Sequence, residues 1–216
     1  MLVPPMTAFS SNTDEAGSVT ELYAEGLRYF MGQGKLNNTL KQVTDALKEH
    51  RIDYMVIGAV ALMAHGYARF TEDVDLVLTP EGLEAFHREL VGVGYIPAFP
   101  GARRRVRSVA DGGSIEILTT GEYPGDGKPK PVRIPNPSTA SVDIDGIRVV
   151  AFPKLIELKL ASGMTAPHRL KDLADVQEMI KIHRLKSSFA EQLDPFVREK
   201  FLELLTAVDE HHDEVR

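Results

Sequence analysis

The residues whose types and spacing most directly suggest chemistry are Asp73 and Asp75. Residues i and i+2 of a β-strand point to the same side. On a strand, these two carboxylates therefore stand together while Val74 and Leu76 face the other way. Like charges so placed repel unless a cation lies between them. Oxygen donors favour a hard cation, Mg2+ or Mn2+, which binds through one or two carboxylates plus substrate phosphates. Glu116, within Ser114-Ile-Glu-Ile-Leu118, is the acid best placed inside an apolar strand to complete a two-metal site. A DxD pair is equally what a solvated strand edge or a turn looks like. Glu116 likewise fits a solvent-facing residue, with Ile115 and Ile117 as the buried pair. The two readings of Glu116 coincide if that solvent is an active-site cleft.

Positioning such groups requires strands, and the pattern supplies them. Tyr54-Met-Val-Ile57 reads as a buried strand that turns at Gly58 into the helical run AVALMAHG. Asp73 to Leu78 alternates as a strand should. Thr79 and Pro80 then cap a helix through Leu83, Phe86 and Leu90 that Gly94 closes. Strands over Arg103–Val109 and Ser114–Leu118 flank the turn Asp111-Gly112-Gly113. Another pair, near 141–144 and 147–150, flanks Asp145-Gly146. Between the two pairs runs a Pro/Gly-rich loop over 121–132, which reads either as a lid or as a rigid excursion.

Helices are expected on both sides of this strand-rich middle. Before it, a series with Leu36, Leu40, Val43 and Leu47 follows a weaker one opened by Ser18 and Glu21. After it come Pro153–Ser162, Leu170–Arg184 and Asp194–Val208, the last with Asp194 as cap and Pro195 at the first helical position. The expected architecture is α/β (α+β): a small mixed sheet with helices packed on it. Its parts are a loose arm over 1–17, a core over 18–152 and a helical region over 153–216.

Composition narrows the choice of function. The 216 residues carry 25 Lys plus Arg against 31 Asp plus Glu, a net charge of −6, which argues against nucleic-acid binding by the surface as a whole. Cysteine is absent, so disulfides, thiolate metal sites and cysteine nucleophiles are excluded. The longest run free of charged and strongly polar groups, Tyr54 to Ala64, falls well short of the ~20 residues a membrane helix needs. The N-terminus lacks the basic start and apolar core of a secretory signal, so a cytoplasmic protein is expected.

The run Val56-Ile-Gly-Ala-Val-Ala-Leu-Met-Ala-His-Gly66-Tyr-Ala-Arg69-Phe-Thr71-Glu-Asp73-Val-Asp75-Leu resembles the opening motif of the nucleotidyltransferase superfamily, whose catalytic core is DNA polymerase beta-like. The spacing of His65-Gly66, Arg69, Thr71 and the DxD is similar to the branch containing the AbiEii-type toxins of bacterial toxin-antitoxin systems. So is the later pairing of Leu155-Ile-Glu-Leu-Lys159 with Arg169-Leu-Lys-Asp172-Leu-Ala-Asp175. The resemblance implies a nucleotidyltransferase-like palm. Asp73, Asp75 and Glu116 would hold two Mg2+ ions, and Glu116 would help remove the proton of an attacking hydroxyl. The turn at Gly58 and Ala59 would meet the phosphates of a nucleoside triphosphate through its backbone, and Arg69, Thr71 and Lys159 would complete the nucleotide site. It further implies transfer to an acceptor hydroxyl, on tRNA or another RNA or on a protein, and an antitoxin partner. Two positions depart from the family pattern: Ala59 stands where Gly or Ser is common, and Glu116 where Asp is.

Plainer readings accompany several of these residues. Lys159 fits a lysine snorkelling from a helix, Arg69 a charge at a helix C-terminus, and Thr71 an ordinary strand residue. Asp172 and Asp175 suit the start of their helix through its dipole, and His65 a cap before Gly66. His211-His212 carries no expected role. Arg103, Arg104, Arg105 and Arg107 form the one basic cluster. Strand alternation would split it between two faces, leaving part of it free to steer a polyanionic acceptor. Two alternatives remain beside nucleotidyl transfer. One is a degenerate fold of this kind that binds a partner. The other is a DxDxV phosphohydrolase, whose motif should directly end a buried apolar strand.

Overall fold

The computed structural model describes residues 34–214. The arm expected over 1–17 and the helix expected from Ser18 lie outside the described residues, as do the side chains of His211 and His212.

The first described helix, α1 (Lys35–Glu49), buries Leu36, Leu40, Val43 and Leu47, the helical series read from the sequence. Next come β1 (Tyr54–Val56), α2 (Gly58–Ala64), β2 (Asp73–Leu78) and α3 (Pro80–Glu89). The start of α3 is fixed locally: the Thr79 hydroxyl accepts from the Gly82 N–H at 3.0 Å, and Pro80 needs no donor there. The chain continues through β3 (Tyr95–Pro97), β4 (Arg105–Ser108), β5 (Ser114–Thr119), the short helix α4 (Pro137–Ala140), β6 (Ser141–Ile144) and β7 (Ile147–Val150). It ends in α5 (Phe152–Thr165), α6 (Leu170–His183) and α7 (Pro195–Glu214).

All seven strands form one mixed sheet in the order β3-β4-β5-β2-β1-β7-β6. The pairs β2/β5 and β1/β7 are parallel, and the others are antiparallel. This is the expected α/β architecture, with departures in detail, among them the short helix α4, which was not expected. Strand β3 was not expected, because it is three residues long, exposes Ile96 and ends in Pro97, so it shows no alternation. Strand β4 begins at Arg105, not Arg103, and only Arg105 and Arg107 lie on it, both on its exposed face. The cluster is therefore not split across two faces of a strand.

Val74, Leu76, Ile115 and Ile117 project from the centre of the sheet to one side and are at most 1% exposed. Helices α1 and α3 pack against β2, and α3 also against β5. Helix α5 is buried nearly all round from Leu155 to Gly163, Glu157 and Lys159 included, and packs against α6 and α7. Charges so buried must find partners. Glu157 finds them in Lys154 and in the Asp194 N–H at 2.8 Å, where the chain enters α7. The partners of Lys159 belong to the site.

Candidate active site

The parallel pairing of β2 with β5 sets Asp73 opposite Ser114 and Asp75 opposite Glu116. Partners in a ladder project to the same side of the sheet, so the two strands together present the three acids on one face. Asp73, at the start of β2, is exposed. Asp75 is partly buried one pleat deeper. Burial, then the charges of Glu116 and Asp73, push the Asp75 carboxyl up to about 7, against the opposing pull of Lys159 and Arg169.

The strand-to-helix turn brings backbone against that carboxylate. Gly58 has φ +66°, and the Ile57 N–H donates to the Asp75 carbonyl at 3.0 Å, which holds the turn beside β2. A Cβ on Gly58 would lie 1.9 Å from Asp75 Oδ2, so both the conformation and the close approach require glycine here.

A cavity of about 130 Å³ opens beneath the turn. Gly58, Asp75 and Glu116 line one side, and Lys159, Ser162, Arg169 and Asp172 the other. Pro124 and Gly125 of the 121–132 loop form a third wall, with Gly125 packed so closely on α5 that a Cβ would lie 2.8 Å from the Ser162 carbonyl oxygen. The sequence left the loop's role open; the structure places it against the pocket.

The Lys159 ammonium, 7% exposed, donates to Asp172 Oδ1 at 2.9 Å and to Asp175 Oδ2 at 2.7 Å. Arg69 grips the same Asp175 with two guanidinium nitrogens at 2.9 and 3.1 Å, and the Ser162 hydroxyl donates to Asp172 at 2.6 Å. Burial works against the charge of Asp172, but Lys159 and the bonds from Ser162 and Lys159 outweigh it. Its carboxyl therefore sits below the usual value. The network ties α5 and α6 to the chain segment just before β2.

The nucleotide-site residues expected from the resemblance thus separate. Gly58 and Lys159 join Asp75 and Glu116 at the pocket, whereas Arg69 is committed to Asp175. Ala59 is buried at 2% exposure. Among the described residues the Thr71 hydroxyl bonds the Asp73 carbonyl, at 3.5 Å. His65 follows α2 as its C-cap, its ring bonded to the Val150 carbonyl at 2.8 Å and packed on Phe152. Asp172 and Asp175, assigned from the sequence to the helix dipole, serve mainly as ion-pair partners, and Arg169 was given no role. Their signal was spacing: Arg169, just before α6, and Asp172 and Asp175 within it recur every third residue, as Lys159 and Ser162 do on α5, with which Asp172 and Asp175 pair.

The acids suit a hard cation in one respect. They are oxygen donors crowded on one face, and the burial and neighbouring negative charge that raise the Asp75 carboxyl are what a bound cation would offset. Among the described residues no three His, Cys, Asp or Glu side chains converge tightly enough to hold a metal on their own. That pattern fits a cation bound through one or two carboxylates, with phosphate or water completing its shell. Glu116 meanwhile accepts a weak contact from Arg105 at 3.4 Å. The DxD pair opens β2 and does not close it, which is the reverse of the phosphohydrolase pattern.

No protein-family model matches the chain, and no curated protein does. Several solved structures share its outline at low identity. The antibiotic-resistance factor ANT(2'')-Ia is 15% identical, with TM-score 0.48, over 82% of this chain and 96% of that one. JHP933 from Helicobacter pylori is 16% identical, with TM-score 0.42, over 82% and 91%. An antigenic nucleotidyltransferase-like protein from Paracoccidioides brasiliensis is 15% identical, with TM-score 0.43, over 67% and 75%. These are likenesses of fold outline, and what the site can do is read from its own residues.

Proposed function

We propose that the protein is a Mg2+-dependent nucleotidyltransferase that moves a nucleoside monophosphate from a nucleoside triphosphate to an acceptor hydroxyl. The observation that carries this reading is the register of β2 against β5, which brings Asp75 beside Glu116, with Asp73 on the same face and the Gly58 turn pressed on Asp75. One or two of Asp73, Asp75 and Glu116 at a time would hold the metal, with substrate phosphates completing its shell, and the metal would supply charge neutralisation on the phosphates. Glu116 accepts the proton of the acceptor hydroxyl. Lys159 and Arg169 add positive charge across the pocket, although two aspartates largely neutralise Lys159. A cavity of about 130 Å³ is small beside the ~300 Å³ of an ordinary ligand pocket, so it suits a phosphate and its cation, with the nucleoside outside.

The finer expectations stand on the sequence resemblance alone. These are the AbiEii-type branch, a toxin role with an antitoxin partner, and an acceptor on RNA or protein. Among the described residues no helix is long and apolar enough to cross a membrane.

The test is a calorimetric titration of ATP, GTP, CTP and UTP, with and without Mg2+, into wild type and an Asp73→Ala/Asp75→Ala variant. Metal-dependent binding that the variant loses supports the reading, and no nucleotide binding by wild type refutes it. One observation favours a second reading, a binding protein on a degenerate site: Arg105 already engages Glu116. Nucleotide binding without transfer to any acceptor would support that one.

A further inference from the structure

Glu116 stands between two neighbours on one face of the sheet. The registers set it opposite Asp75 of β2 on one side and opposite Arg105 of β4 on the other, so the three side chains form a row. Asp75 and Glu116 line the pocket, whereas Arg105 lies outside its wall on the exposed face of β4. One guanidinium nitrogen of Arg105 reaches both Glu116 oxygens, at 3.4 and 3.5 Å. Among the described residues it is the only cation within ion-pair distance of Asp73, Asp75 or Glu116, while Lys159 is bonded to Asp172 and Asp175.

A cross-strand ion pair needs no further purpose. What sets this one apart is the other side of Glu116. Its charge is close enough to act on Asp75, yet among the described residues no three acids converge on a common point. The Arg105 contact supplies a reason, because it engages both oxygens of the carboxylate from the side away from Asp75. The hold is light: the contact is long, and the two side chains are 61% and 38% exposed, so water and salt screen it. A divalent cation pulls on the same carboxylate with twice the charge, so the pair is ready to exchange.

We propose that Arg105 is the resident counter-ion of Glu116, a positioning residue that keeps this carboxylate paired toward β4 until a divalent cation displaces it. The role rests on the nucleotidyl-transfer reading for what the cation then does, and the exchange itself involves only Arg105, Glu116 and the ion. While Glu116 is engaged by Arg105, Asp73 and Asp75 face an incoming cation without it. On release, Glu116 joins Asp75, and the guanidinium returns to solvent on the same face. The contact that favours a degenerate site is, on this account, one of two arrangements of a working one.

The test uses Mn2+ alone as the probe. The electron paramagnetic resonance signal of free Mn2+ is followed as the ion is added to the full chain, as wild type and as Arg105→Gln, Arg105→Lys, Arg107→Gln, Glu116→Gln and Arg105→Gln/Glu116→Gln variants. Arg105→Gln should bind Mn2+ about 5-fold tighter than wild type, the scale of one lost exposed ion pair, with Arg105→Lys within about 2-fold of wild type. Arg107 sits on the same strand face but opposite Ser114 instead of an acid, so Arg107→Gln should change the affinity by less than about 2-fold. In the Glu116→Gln background the Arg105 substitution should likewise have less than about a 2-fold effect. Equal Mn2+ affinity of Arg105→Gln and wild type overturns the proposal, as does the absence of Mn2+ binding by Arg105→Gln. A gain of the same size in Arg107→Gln, or one that survives in the Glu116→Gln background, also overturns it, since the cause would then be the general field of the surface. Calorimetry with ATP and Mg2+, run in parallel, judges the nucleotidyl-transfer reading separately: failure of ATP to bind strikes that reading, while the Mn2+ series still decides the role of Arg105.

Discussion

Replacing Lys159 by Met tests the charge network behind the pocket while keeping most of the side-chain volume. The ammonium is 7% exposed and bonds both Asp172 and Asp175, so solvent screens it little. Removing one member of a buried, hydrogen-bonded ion pair typically costs about 3–5 kcal/mol, because the other charge stays buried without compensation. Asp175 keeps Arg69, so the loss falls mainly on Asp172, left with the Ser162 hydroxyl at 2.6 Å and the field of Arg169. The expected destabilisation at pH 7.5 is therefore about 3 kcal/mol, a large share of the 5–15 kcal/mol usual for a folded domain.

The pH dependence has a definite sign. In wild type the Asp172 carboxyl is depressed on folding, so its contribution is present above the unfolded value near 4 and is lost as pH falls through the folded one. In the variant that depression disappears. The gap between the two proteins should then be widest at neutral pH and narrow toward pH 4, and Asp172→Asn added to Lys159→Met should recover about 1–2 kcal/mol. Urea denaturation followed by circular dichroism reads all three quantities. A Lys159→Met protein within 1 kcal/mol of wild type at pH 7.5, or a gap that does not depend on pH, would refute the account.

Three further outcomes follow from the same geometry. Gly58→Ala must adopt φ near +66° and meets Asp75 Oδ2, so it should lose about 1–3 kcal/mol and most of its Mg2+-dependent nucleotide affinity, as thermal melts and calorimetry would show. The Asp75 carboxyl is raised from 3.8 to about 7 by burial and by Glu116 and Asp73, so wild-type stability should fall as pH rises between those values. Asp75→Asn should lack that fall and be up to about 4 kcal/mol more stable at pH 8 without metal, measured by urea denaturation. Gly125→Val should push the 121–132 loop off Ser162 and Thr165 and weaken nucleotide binding more than it lowers the melting temperature, both compared in one buffer.

Short-range pattern fixes a good deal of this protein. The helical interval of Leu36, Leu40, Val43 and Leu47, the Thr79-Pro80 start of α3, and the turn at Gly58 are local, because each depends on residues within one or two turns of backbone. The placing of Asp73 and Asp75 on one side of a strand is local for the same reason, since side chains alternate along a strand whatever it pairs with. Strand β3 escaped because three residues ending in proline show no period, and its existence depends on β4 beside it.

The chain's local patterns thus determined most of its elements and singled out the three acids, but their assembly belongs to the tertiary structure. That Asp75 stands opposite Glu116 follows from a parallel register between strands separated by α3, β3 and β4, which no local period encodes. That Asp175 is shared by Arg69 and Lys159, and that Arg105 and Arg107 share the exposed face while Arg103 and Arg104 are tied elsewhere, follows from which segments the core brings together. A charge acts through space, with a strength set by distance and burial. Its role is therefore decided only once folding has chosen its neighbours.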